Sequence, residues 1–149
     1  MRTGLFALVA LALVGGIFVA GGRTPTASAN QQSMTTTLSG SAEVPGPGSA
    51  DGAGQAMVTI DPAQNTVCYE LNVTLAPPAA AAHIHRGAAD ASGPVVVPFD
   101  APSSGSSSGC VQGVDAALIA DILQTPSGFY VNIHNPDFPA GAIRGQLGQ

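Results

Sequence analysis

The chain contains no lysine. Four arginines are all its strongly basic side chains, and Arg2 and Arg23 lie among the first 29 residues. From Asn30 to Gln149 only Arg86 and Arg144 stand against nine acids, a net charge of −7. A segment so poor in cations cannot neutralise a run of phosphates, which argues against nucleic acid as a partner. It also has no basic patch for anionic lipid, while its charge favours solubility. Long apolar runs are missing too. Leu5 to Ala20 spans 16 residues, broken by Gly15 and Gly16, short of the roughly 20 that a spanning helix needs. There is no twin-arginine pair, and no cysteine follows the apolar run as a lipid anchor would require. The hydroxyls of Ser103 to Ser108 lack a G-x-S-x-G turn, and neither a phosphate-binding glycine loop nor zinc-finger cysteine spacing occurs. No constellation for a hydrolase is therefore present, and an enzymatic role has little behind it.

What is present first is an export signal. Arg2 gives a short positive start, the apolar run follows, and Ala27-Ser28-Ala29 has the small-x-small pattern that signal peptidase reads. The expectation is a signal peptide over 1–29, cleaved before Asn30, and one domain over 30–149 in the secreted, periplasmic or cell-envelope space. Once cleaved, the chain has no membrane segment; an extracellular protein or envelope component is the partner class left open. The 120-residue remainder is long enough for one buried core. Its two cysteines, Cys68 and Cys110, suit a disulfide in such a compartment.

From Met34 onward the pattern is of short strands between Gly/Pro/Ser loops. Strands are expected at Met34–Ser39, Gln55–Ile60, Thr66–Val73, Ala80–Arg86, Val95–Val97, Cys110–Val114, Phe129–His134 and Ala142–Leu147. Pro98 should end the fifth, and Ala101–Gly109 should be a mobile loop. In Thr66–Val73, alternation sends Val67, Tyr69, Leu71 and Val73 inward and Cys68 outward. If Val111 faces in, Cys110 also faces out. One short helix is expected at about 115–124, capped by Asp115, with Leu118, Ile119, Ile122 and Leu123 as its apolar stripe. The class is all-β, a Greek-key-like sandwich or barrel.

The concentrated chemistry is three histidines, His83, His85 and His134. His83 and His85 share one strand face, and His134 shares a face with Tyr130 and Asn132. If these strands lie together, three imidazoles converge, a donor set suited to copper or zinc. A shared ion requires ring nitrogens within about 4 Å of one another, given metal–nitrogen bonds near 2 Å. The alternative is three ordinary hydrogen-bonded histidines fixing loops. Both His85 and His134 precede a loop holding an acid and a glycine, Asp90 with Gly93 and Asp137 with Gly141, like a degenerate repeat. Asp90 or Asp137 could ligate or orient an imidazole. Arg144 could attract an anion or pair with Asp137, or else tie the last strand to a neighbouring loop through carboxylate or carbonyl contacts. Arg86 has the same choice.

The motifs Leu38-Ser39-Gly40-Ser41-Ala42-Glu43-Val44-Pro45, Gly54-Gln55-Ala56, Ala82-His83-Ile84-His85-Arg86-Gly87 with Gly93-Pro94-Val95-Val96, Tyr130-Val131-Asn132-Ile133-His134 and Phe138-Pro139-Ala140-Gly141-Ala142-Ile143-Arg144-Gly145-Gln146-Leu147 resemble the CHRD domain, the chordin-type family. They span about Thr36 to Leu147. The family often has glycine and an acid where this chain has Ala140 and Ala142. The resemblance implies an extracellular domain, a non-enzymatic binding or structural module. The His-x-His strand and the later Gly-x-x-Arg-Gly also look, over short pieces, like the copper/zinc superoxide dismutases. Three histidines are too few for a dinuclear copper–zinc site, and fold analogy would not supply the activity. The two expectations are a binding or structural module and a mononuclear copper or zinc protein.

Overall fold

A computed structural model describes residues 31–148. The expected signal peptide and its expected cleavage point lie outside the described residues. Eight strands form one antiparallel sheet: β1 (Gln32–Ser39), β2 (Ala53–Asp61), β3 (Thr66–Thr74), β4 (Ala81–Arg86), β5 (Val95–Phe99), β6 (Ser106–Gln112), β7 (Phe129–His134) and β8 (Ile143–Gln146). Their spatial order is β5-β4-β7-β8-β1-β2-β3-β6. The edge strands β5 and β6 come together, so the sheet curls into a nearly closed barrel. The connections β3 to β4 and β6 to β7 cross over, giving the Greek-key path.

Period-two alternation fills the barrel. Leu38, Val58, Ile60, Val67, Leu71, Ile84, Val131, Ile133 and Ile143 are wholly buried. The β2–β3 hairpin holds its register from Ala53↔Thr74 to Asp61↔Thr66. Its turn is tied by the Asp61 carboxylate, which accepts from the backbone N–H groups of Ala63 and Gln64. The seam is closed by Tyr69, stacked on Phe99 with centroids 4.1 Å apart. Its hydroxyl accepts from Asp100 N at 2.9 Å.

The helix, α1 (Ala116–Gln124), lies in the β6–β7 crossover and is capped by Asp115, whose carboxylate accepts from Ala117 N and Leu118 N. Ile119 and Ile122 face the core. Arg86 stands outside it, paired with Asp121 at 2.8 Å and lying over the Phe129 ring. Thus Arg86 ties the end of β4 to the helix.

Three strand boundaries correct the expectation. The serine run is not a mobile loop beyond Gly105: β6 starts at Ser106 and pairs with β3 from Asn72↔Ser106 to Thr66↔Gln112. An edge strand needs few apolar side chains, because its neighbour's backbone supplies the ladder. At its other end β6 stops at Gln112, before Gly113 with φ of 69°. Pro98 does not end β5, since on an edge strand its missing N–H leaves no ladder bond unmade. Cys68 and Cys110 are directly opposite in the β3–β6 pair and form a disulfide on the outer face.

Both faces of β7 and β8 are buried. The inner face is barrel core. The outer face is polar, and it packs beneath the segments connecting β1 to β2, β4 to β5 and β7 to β8. The histidines lie in this layer.

Candidate metal centre

β4 and β7 pair in the register His85↔Tyr130, His83↔Asn132 and Ala81↔His134. Ile84, between the two histidines, points into the core, so His83 and His85 must project outward. His134 projects outward beside them because Ile133 is a core residue. The rings lean together above Asn132. Their centroids are 5.5 Å (His83–His85), 5.2 Å (His83–His134) and 5.6 Å (His85–His134) apart. One nitrogen from each ring lies within 4.8 Å of one from each of the others.

That separation is wider than the 4 Å expected of a formed site. Tetrahedral ligation with bonds near 2.0–2.1 Å brings nitrogens to about 3.3 Å. The rings must therefore draw in to close on an ion. Their hydrogen bonds suit the task. His85 Nδ1 is 2.9 Å from the Gly93 carbonyl oxygen, and His134 Nδ1 is 3.2 Å from that of Pro139. A carbonyl can only accept, so a hydrogen bond at either contact needs the proton on Nδ1, and in the neutral ring that leaves the lone pair on Nε2. His85 Nε2, His134 Nε2 and His83 Nδ1 are buried with no hydrogen-bond partner. Three partnerless imidazole nitrogens on one face are an uncommon arrangement, since buried polar atoms ordinarily find partners.

Burial, then the neighbouring His85, holds the His83 pKa below the ordinary value. Burial, then His83 and His85, does the same for His134, against the opposing effect of the Pro139 carbonyl. Both therefore favour the neutral form that binds a metal.

The acids expected as ligands or orienters lie outside the cluster in this structure. Asp90 and Asp137 are exposed, and among the described residues the convergent donor set is His83, His85 and His134. Their loops do orient imidazoles, but through backbone carbonyls. A carbonyl fixed in a short loop is already in place, whereas an exposed aspartate must lose side-chain freedom to reach inward. The repeat-like pattern thus has a structural counterpart: each histidine is held by the loop that follows its own strand.

Arg144 also departs from the anion-attracting reading. It is 1 % exposed. Its guanidinium donates to Ala91 O at 3.0 Å, Ala88 O at 2.6 Å and Gln146 Oε1 at 3.1 Å, and lies 3.5 Å from the centre of the Tyr130 ring. The structure favours the tie from the last strand to a loop. Gln146 Nε2 adds bonds to Gly87 O and Ser127 O, both 2.7 Å.

Glu43 was not among the expected site residues. It is 6 % exposed, and its Oε2 accepts from Asn132 Nδ2 at 3.3 Å. Glu43 Oε1 and Asn132 Oδ1 have no partner. Burial raises the carboxyl pKa to about 7, against the Asn132 hydrogen bond and the Arg144 charge. Gly141, with φ of 150°, leaves room for the carboxylate; a Cβ there would strike it. The Glu43-Val44-Pro45 motif marked the position but gave no sign that the side chain turns inward.

Comparison with curated proteins and with solved structures finds no match, so the likeness to the dismutases rests on short motifs alone. The family profile of the CHRD domain matches residues 34–147, from the first strand of the barrel through the segment carrying Arg144 and Gln146. The chain belongs to the CHRD domain family.

Proposed function

We propose that this CHRD domain is an exported, non-enzymatic binding module whose ligand is a single copper or zinc ion held by His83, His85 and His134. One observation carries the reading: three buried, partnerless imidazole nitrogens stand on one sheet face, with the rings converging. The carbonyls of Gly93 and Pro139 support it, because a metal-ligating histidine ordinarily donates its other N–H to such a partner. Neutral imidazoles suit copper and zinc better than magnesium or calcium, which take oxygen ligands. The Cys68–Cys110 disulfide is consistent with an extracellular or periplasmic location. The segment 1–29 supplies the address, and Asn30 begins the mature protein.

The test uses protein recovered from an oxidising compartment, supplied with micromolar copper or zinc and assayed for bound metal. Wild type should carry about one equivalent and His85→Ala far less. No metal on the wild type, or equal loading of both proteins, would refute the proposal. The intact mass of the same sample reads the cleavage point.

A further inference from the structure

The loop between β4 and β5, residues 87–94, contains no helix or strand, and several of its residues are exposed. Yet side chains from the sheet beneath fasten it at four places. Gln146 holds the Gly87 carbonyl, and Arg144 holds those of Ala88 and Ala91. Tyr130 Oη accepts from Gly93 N at 3.1 Å. The Gly93 carbonyl, across the same residue, meets His85 Nδ1. The arrangement is also stacked: the Tyr130 ring lies nearly parallel to His85, at 15° with centroids 5.0 Å apart, and the Arg144 guanidinium lies over Tyr130. Gly93 fits because a Cβ there would strike the Arg86 carbonyl. Three side chains from two strands thus converge on one loop, and that loop makes a single hydrogen bond to the imidazole cluster.

We infer that Arg144, Gln146 and Tyr130 are positioning residues for the metal centre: they clamp the 87–94 loop so that the Gly93 carbonyl keeps the proton of His85 on Nδ1 and its lone pair on Nε2, toward the other two rings. This inference rests on the metal-binding reading for its purpose, but not for its geometry. His134 is held through Pro139, on a different loop, and stands outside the clamp.

The separation gives the experiment an internal control. Long-range proton–nitrogen NMR of the histidine rings, on metal-free protein with the disulfide intact, reads each tautomer directly. Wild type should show His85 and His134 both protonated on Nδ1. In Tyr130→Phe, which keeps the stacked ring but removes the acceptor for Gly93 N, His85 should become a mixture of tautomers while His134 is unchanged. Arg144→Gln should do the same more strongly. Where metal binds, competition titration with zinc should show affinity reduced about 10–100-fold in Arg144→Gln, the usual cost of losing such support, and by less in Tyr130→Phe. A merely structural role would leave the tautomers alone or disturb both histidines together. Should Arg144→Gln fail to fold, Tyr130→Phe decides. His85 protonated on Nε2 in the wild type, or an unchanged His85 tautomer in a folded variant, would overturn the inference. If the wild type takes up no metal, the functional proposal fails, while the NMR result still decides the clamp.

Discussion

Imidazole and carboxyl groups sit in the same buried layer, and they respond to pH in opposite senses. Glu43 has an ordinary value of 4.5 and a folded value of about 7. Between these, the folded protein keeps a proton that the unfolded chain has released, so the Glu43 contribution to stability falls as pH rises through that window and is flat above it. His83 and His134 are held below the ordinary 6.5. The unfolded chain protonates them first, so their contribution falls as pH drops below that value. The two effects oppose each other in the wild type. Glu43→Gln removes one of them. Urea unfolding should show the variant gaining on the wild type between pH 4.5 and about pH 7; a constant difference between the two proteins would contradict the account.

The histidines were legible at this scale because side-chain alternation along a strand is fixed, and because Ile84 and Ile133 announce which way is inward. Glu43, Asn132 and Tyr130 were not. Glu43 precedes a Pro/Gly-rich connection, where no period predicts direction. Alternation places Asn132 and Tyr130 on the polar face but cannot say that loops cover that face. The same limit explains Arg144: its face was legible, its burial was not.

Among the elements, β6 is the most dependent on covalent help. It is Ser106-Ser107-Ser108-Gly109-Cys110-Val111-Gln112, an edge strand in which only Val111 packs on the core. Its attachments are the β3 ladder, the Ser107 Oγ bond to Asp100 O and the disulfide, which spans 42 residues. Replacing both cysteines by serine should lower unfolding free energy by about 2–4 kcal/mol. Hydrogen exchange should show β6 amides losing protection before those of β2 or β7. Uniform loss across the sheet would mean that β6 is not the weak element. The start of β6 was illegible because its serines carry no apolar signal; β3, already regular, templates them. The helix was legible because its cap and apolar stripe are both local. For β5, the proline misled only because the strand's edge position is a property of the whole sheet.

Across the molecule, the barrel and the site come from one pattern read on its two faces. Apolar residues of β4, β7 and β8 close the core, and the residues alternating with them build a polar layer outside it. Loops cover much of that layer, leaving His83 and His134 half-buried, so its groups lose much of their water and must find partners within it. Most do: Arg144, Gln146 and Tyr130 are used in holding the chain together. The three imidazole nitrogens, Glu43 Oε1 and Asn132 Oδ1 are the side-chain atoms left over among the described residues. All can act as acceptors, which is the composition expected around a cation rather than around an anion. A fold requirement alone would have been met by apolar side chains under the same loops.

X-ray absorption at the metal edge of the loaded, disulfide-intact protein tests this most directly, because it counts and identifies the donor atoms. The account predicts one ion with three imidazole nitrogens at about 2.0–2.1 Å and no sulfur. Coordination dominated by oxygen or sulfur, or fewer than three imidazoles, would contradict it.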